Sequence, residues 1–219
     1  MVKSYLPLYP VLVSLVAVPL IMASTSRPNL REFWTIIASF FKFIFVLNLL
    51  PYATKGITVE TAMFEIAPGL PFVLRADPFG VFFAVIASGL WILTSFYSIG
   101  YVRGAGEKKQ TRYFASFAIC LSATIGIAFS GNLLTFIVFY EILTLATYPL
   151  VIHKENSEAI GAGRQYLIYT LTAGLLLIAG SAIIYNQTGN IDFRPGGILA
   201  DAAFAPGVMV CVFLLFLGG

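Results

Sequence analysis

Residues 132–153, NLLTFIVFYEILTLATYPLVIH, form an apolar run with one carboxylate, Glu141, near its middle. At ~1.5 Å rise per residue, a helix of this length crosses the ~30 Å hydrocarbon core of a bilayer and puts Glu141 near the midplane. A charged side chain there costs at least ~3 kcal/mol, so the carboxyl needs either a function or a neighbouring helix to hold it. Two readings stay open: a station on a proton or ion path, or a protonated carboxyl that packs one helix on another. Thr144 (i+3) and Tyr148 (i+7) share the face of Glu141, and Tyr140 and Thr147 add further polar groups to the same helix. This stripe favours the first reading, because such a helix turns its polar face into protein and leaves the rest to lipid.

The whole chain fits that setting. Hydrophobic residues make up 59% of it and charged residues 11%, against roughly 25% charged in a soluble domain. With a mean hydropathy of +0.91, an all-α integral membrane protein is expected. The net charge of +3 is spread over Lys and Arg residues at the ends of apolar runs, which marks topology and excludes a nucleic-acid partner. Cys120 and Cys211 sit inside apolar runs and are expected to be free thiols. There is no phosphate loop, nucleotide fingerprint or His/Cys cluster, so no cofactor, no metal and no redox or hydrolytic site is expected.

Six complete transmembrane helices and the start of a broken seventh are expected. Residues 1–51 hold the first two spans, at 6–23 and 33–50. Lys3 and the run at 6–23 have some features of a signal peptide, but the run exceeds a typical apolar region of about 7–15 residues, so a retained helix is the simpler reading. Residues 52–78 are an extracytoplasmic loop, with the β-branched and turn residues of a hairpin between Gly56 and Pro68. Residues 79–219 hold helices three to seven: 79–101, 113–129, the Glu141 run, about 158–185, and a seventh from Ala202. That last run is too short to cross, so it reads as a helix broken at mid-membrane or, preferably, as part of a longer polypeptide truncated at 219.

Four other residue groups are candidates for chemistry. Lys42, in Phe40-Phe41-Lys42-Phe43, could join a proton relay, but the favoured reading is a stem that snorkels to an interface or pairs with a lipid or another subunit. Arg164, early in the sixth span, either biases Glu141 electrostatically or anchors the helix at an interface. His153 closes the Glu141 helix, where it suits proton uptake or, as favoured, a helix cap. Asp77 reads as a helix N-cap, and Gly161 and Gly163 as sites of close helix approach.

The run from Asn132 to Leu150 resembles the fifth helix of the antiporter-like subunits shared by respiratory complex I, membrane-bound hydrogenases and Mrp-type cation/proton antiporters. Residues 159–174, AIGAGRQYLIYTLTAG, resemble the start of the sixth helix, and Asp77-Pro78-Phe79-Gly80 and Tyr97-Ser98-Ile99-Gly100-Tyr101 resemble the flanks of the third. The match runs from about 70 to 219, and residues 148–150 lean toward the D-type Mrp or hydrogenase-like branch. The resemblance implies a subunit of about fourteen helices built on inverted repeats, in which Glu141 would pair with a lysine on the broken seventh helix. Lys42 has no counterpart in the family pattern. The implied function is proton translocation within a multisubunit complex, with Glu141 as proton carrier and Arg164, Lys42, His153, Tyr148 and Thr144 in support. The implied partners are other membrane subunits, the lipid bilayer, protons and sodium. The alternative is a structural subunit that packs against partners without conducting ions.

Alternate loops divide the basic residues. Arg27, Arg31, Arg103, Lys108, Lys109, Arg112, Lys154 and Arg164 fall on one side, and Lys3, Lys55, Arg75 and Arg194 on the other, which makes the first set cytoplasmic by eight to four. A multi-pass protein of the cell inner (plasma) membrane with its amino terminus outside is expected. An impermeant thiol reagent should therefore label a Glu60→Cys variant from outside the cell; labelling only from the cytoplasm would invert this topology.

Overall fold

The computed structural model describes residues 1–67, 69–199 and 205–219. Ala202 and Pro68, at which the sequence reading places element boundaries, lie outside the described residues. The chain begins with β1 (Val2–Lys3) and α1 (Leu8–Ala23), then α2 (Pro28–Leu47) and a single turn, α3 (Leu50–Ala53). A hairpin follows, β2 (Val59–Ala67) and β3 (Leu70–Ala76). The remainder is helical: α4 (Pro78–Gly104), α5 (Gln110–Ala128), α6 (Leu133–Val151), α7 (Ser157–Thr188) and α8 (Pro206–Gly218).

Among the described residues, five helical stretches are long and apolar enough to cross a membrane: Pro28–Ala53, Pro78–Gly104, Gln110–Ala128, Leu133–Val151 and Ser157–Thr188. The first expected span, α1, has 16 residues, and α8 has 13. At ~1.5 Å per residue α1 is ~24 Å long, somewhat less than the hydrocarbon thickness.

Local sequence sets the helix starts. Asp77 caps α4 by accepting a hydrogen bond from the Gly80 amide at 2.6 Å, with Pro78 in the first turn, where its missing N–H costs nothing. Asn132 caps α6 through the Thr135 amide, and Asn156 caps α7 through the Ala159 amide, both at 2.8 Å. Gly189 ends α7 in the left-handed conformation, φ +66°, that glycine adopts without strain.

The hairpin differs from the sequence reading in extent. Only its first strand lies between Gly56 and Pro68; the second, with Pro71 near its start, runs to Ala76. The register pairs Val59 with Ala76 and Thr61 with Leu74, and β1 joins in parallel through Val2 to Val59. Arg75 ties the hairpin to the helices, because its Nε donates to Glu60 Oε2 at 2.8 Å and its Nη1 to the Phe193 carbonyl at 2.6 Å. The amino terminus, the sheet, the α5–α6 turn and the loop after α7 thus share one end of the bundle. Val46, Leu49, Val59, Leu74 and Phe129, each 0% exposed, form the apolar core beneath the sheet.

The opposite end is held by charge. Glu32, 6% exposed, accepts from Arg103 Nη2 at 2.6 Å and from Arg31 Nη2 at 3.3 Å, which joins α2 to α4. Arg31, 4% exposed, also donates to Gln110 Oε1 at 2.7 Å and lies over the Phe114 ring, which adds α5. Arg31 and Arg103 therefore build the bundle as well as marking topology. Between α6 and α7, Glu155 pairs with Lys109 and Arg112. The hydrogen-bonded Lys109 ammonium, and then the Arg112 guanidinium, hold the Glu155 carboxyl below the usual carboxylate range. What this clasp contributes is present above that range and is lost as pH falls through the lowered value.

Glu32→Gln leaves Arg31 buried beside a neutral amide, and orphaning a buried charge costs about 3–5 kcal/mol. Its thermal unfolding in detergent is expected at a clearly lower temperature, whereas Arg27→Gln, at an exposed position, leaves the midpoint unchanged.

Candidate functional site

The site is the contact between α6 and α7. The two helices run antiparallel with a close approach at each of two glycines. A Cβ added to Gly163 would meet Ile152 Cγ2 at 2.3 Å and Tyr148 Cε2 at 3.0 Å, and one added to Gly174 would meet Glu141 Oε1 at 1.7 Å. The Glu141 carboxyl therefore lies directly on the α7 backbone, in a space that exists only because residue 174 has no side chain. Gly161, by contrast, has nothing within 4 Å of its Cβ position, so the expected close approach there is not made.

Around this contact the polar stripe of α6 comes together with α7. Thr144 is buried, 4% exposed; Thr147 Oγ1 bonds the Tyr166 hydroxyl of α7; and the Tyr148 ring packs on Gly163. Glu141 also lines a cleft of 610 Å³ between the two helices, whose other walls are mainly apolar, among them Ile137, Leu145 and Ile178, with Ser181 and Tyr185 as polar exceptions. Among the described residues, no hydrogen bond or ion pair to the Glu141 carboxylate occurs. The C-terminal end of α8 comes down beside the same part of α7: a Cβ at Gly219 would lie 2.8 Å from the Ala173 carbonyl oxygen.

The other expected residues lie elsewhere. Arg164 is exposed, ten positions before Gly174 on α7, or ~15 Å along the helix and on a different face, so it does not reach Glu141. The His153 ring does not cap α6; its Nε2 is 3.7 Å from Glu107 Oε2 and the ring packs edge-on against Tyr113. Arg112 Nη2 instead donates to the His153 carbonyl, at 3.2 Å.

The largest correction concerns Lys42. Its side chain does not snorkel to an interface and does not face lipid. It is 0% exposed, its Nζ donates to the Leu121 carbonyl at 2.9 Å, and it lies 4.8 Å from the centroid of the Trp91 ring. Gly174 escaped the sequence reading as well; a glycine one helix away from a lone carboxylate acquires its meaning only when the helices are docked.

A helical bundle with a carboxyl at a glycine-lined contact between two helices long and apolar enough to cross a membrane defines a class, the polytopic membrane proteins. Residues 130–219 match the family described as NADH:quinone oxidoreductase/Mrp antiporter, TM. The D-type subunit of the Na(+)/H(+) antiporter of Alkalihalophilus pseudofirmus is 27% identical over 165 residues, covering 74% of this chain and 32% of that protein. Hydrogenase-4 component B of Escherichia coli is 26% identical over 158 residues, covering 71% of this chain and 23% of that protein. A chain in the structure of the Mrp complex from Dietzia sp. shares the fold with a TM-score of 0.78 at 22% identity, over 98% of this chain and 40% of that one. The chain is thus similar to the antiporter-like membrane subunits, as the residues of its fifth and sixth expected spans suggest, and it spans a third or less of the length of these two proteins.

Gly174→Ala places a methyl group where Glu141 Oε1 now lies. The carboxyl must swing away, which is inexpensive for a flexible side chain, so the fold survives while the site is rearranged. The variant is expected to keep normal thermal stability while Glu141 reacts faster with a hydrophobic carbodiimide, followed by mass spectrometry. Unchanged reactivity would mean that the α7 contact does not set the position of the carboxyl.

Proposed function

We propose that the chain acts in proton translocation as an antiporter-like subunit of a multisubunit membrane complex, with Glu141 as the mid-membrane proton carrier. The observation that carries this reading is the Glu141 carboxyl laid against the Gly174 backbone, half-buried at the contact of two helices yet bonded to no basic group among the described residues. A structural carboxyl would be expected to satisfy itself on a neighbouring helix. One that exchanges protons needs instead a partner that comes and goes. The approach of a cation favours the carboxylate, and its withdrawal favours the acid, so a moving charge loads and unloads the site.

That cation is a lysine of the broken seventh helix, in a subunit of about fourteen helices built on inverted repeats, the first of which starts within helices three to seven. The α8 end beside Ala173 supports a partner arriving at this level. Thr144, Thr147, Tyr148 and Tyr166 line the α6–α7 contact from Glu141 toward His153 and can relay a proton by hydroxyl rotation. The loops bearing Arg103, Arg112 and Lys154 face the cytoplasm, and the amino terminus and sheet face outward. The energy comes from partner subunits or from an exchanged ion, sodium in the antiporter branch.

Glu141→Gln removes the exchangeable proton with almost no change in shape. In the intact complex, proton translocation measured with a pH-sensitive dye is expected to fall to background while assembly persists. If the variant translocates as well as the unsubstituted complex, Glu141 is a packing residue.

A further inference from the structure

The bundle of α1, α2, α4 and α5 contains a second polar zone, away from Glu141. On α2, Arg31, Thr35, Ser39 and Lys42 recur at spacings of four, four and three, hence on one face, and none is more than 4% exposed. On α4, Ser88, Trp91, Ser95 and Ser98 repeat the pattern, none above 3%. Both ends of the α2 stripe meet the same two helices. Arg31 reaches Gln110 of α5 and, through Glu32, Arg103 of α4; Lys42 reaches Leu121 of α5 and Trp91 of α4. Thr35 and Ser39, between them, therefore face the same seam.

Five buried polar atoms of this bundle have no hydrogen-bond partner among the described residues: Arg31 Nε and Arg112 Nε toward its charged end, and Ser14 Oγ, Trp91 Nε1 and Ser95 Oγ within it. A dry seam would leave each at a cost of ~1–3 kcal/mol, so these donors and acceptors beside a lysine amine are the lining of a water file. The file has one mouth. Beyond Lys42 toward the sheet come Val46, Leu49, Ala84 and Phe129, all 0% exposed and all apolar. In the other direction the α2 stripe leads to Arg31, Glu32 and the partly exposed Arg103.

We propose that Lys42 is a proton-exchanging site connected by a hydrated seam between α2, α4 and α5 to the aqueous phase at the Glu32 end, and closed toward the sheet. In the exchange a water O–H bond breaks as an N–H bond forms on the Nζ lone pair, and the charge left on oxygen is carried out along the file; release reverses this. The Leu121 carbonyl and the Trp91 face stabilise the ammonium. At the amine stand the Leu121 carbonyl of α5 and the Trp91 ring of α4, neither of them charged, and the helices around α2 bring the buried and uncharged Ser14, Ser88 and Ser122. The charges on the route are Arg31, Glu32 and Arg103 at the mouth, and the one carboxylate there is already taken by two guanidiniums. This suits a proton and excludes a metal cation. The site does not depend on the role of Glu141.

The test is hydrogen–deuterium exchange of the lysine amines in the intact complex, followed by NMR with ¹⁵N-lysine and with Lys42 assigned from the spectrum that Lys42→Met lacks. Lys42 is expected to exchange on the timescale of the exposed Lys55. Ser98→Val, which narrows the seam below Lys42, should slow it by at least about tenfold, the factor equivalent to ~1.4 kcal/mol. Should Ser98→Val fail to assemble, Ser95→Cys in a background lacking Cys120 and Cys211 reports the same water through its ionisation-dependent reaction with methyl methanethiosulfonate. It is expected to react at least about tenfold faster than the outward-facing Leu93→Cys, by the same conversion. Lys42 protons that persist after those of Lys55 have exchanged, or a Ser95→Cys thiol no faster than Leu93→Cys, would overturn the proposal. Either result would leave the outcome for Glu141→Gln unaffected.

Discussion

An acid inside a bilayer can exist only where protein covers it, and here the cover is a backbone. Glu141 Oε1 occupies the position of the missing Gly174 side chain, so α6 and α7 must be held in one register for the site to exist at all. Both ends of the pair supply that register. At one end Asn132 caps α6 while its Nδ2 holds the Pro71 carbonyl of β3 at 2.7 Å, and the Leu133 amide donates to Ile191 beyond α7. At the other, Asn156 caps α7 directly after the Glu155 clasp to Lys109 and Arg112. Among the described residues, the helix contact between these anchors carries little polar bonding of its own apart from Thr147 with Tyr166.

The two ends of the bundle use different physics. The sheet end relies mainly on backbone hydrogen bonds over a closed apolar core, with the Arg75–Glu60 ion pair added to them. The other end relies on ion pairs, strongly buried at Arg31–Glu32 and solvent-facing at Lys109–Glu155. Only the first kind holds at high ionic strength, because exposed pairs are screened beyond about 10 Å at 0.1 M salt and add little individually. The loop that joins α6 to α7 is therefore the softer closure of the pair that forms the site.

Hydropathy made the spans legible, because partition into lipid depends on local composition. The capping role of Asp77 and the shared face of Glu141, Thr144 and Tyr148 follow from spacing along one helix, whereas the cap that Asn132 forms was not read from the sequence. What was not legible depends on a neighbour. The sequence alone gives Lys42 a four-carbon stem and a choice between lipid interface and protein; only the carbonyl of Leu121, 79 positions later, decides it. In the same way Gly161 and Gly163 are equivalent in sequence, but only Gly163 meets the partner helix. Arg31 and Arg103 look like topology signals until the 71 positions between Glu32 and Arg103 are closed by docking.

Helix α5 separates the two ionisable groups and gives them a common depth. Phe139 of α6 packs on Gly126 of α5, and moving five residues away from that contact on each antiparallel strand of the pair brings Leu121 level with Thr144. The Lys42 amine, bound to the Leu121 carbonyl, thus lies within about one helical turn of the Glu141 level, on the far side of α5 and α6. Their surroundings differ in kind. Lys42 is enclosed by four helices and opens along a narrow seam, whereas Glu141 lines a cleft with one side open. Small residues on α5, Ala115, Ala118, Ser122 and Gly126, are all buried and let its neighbours pack close, so the protein layer between the two groups is thin.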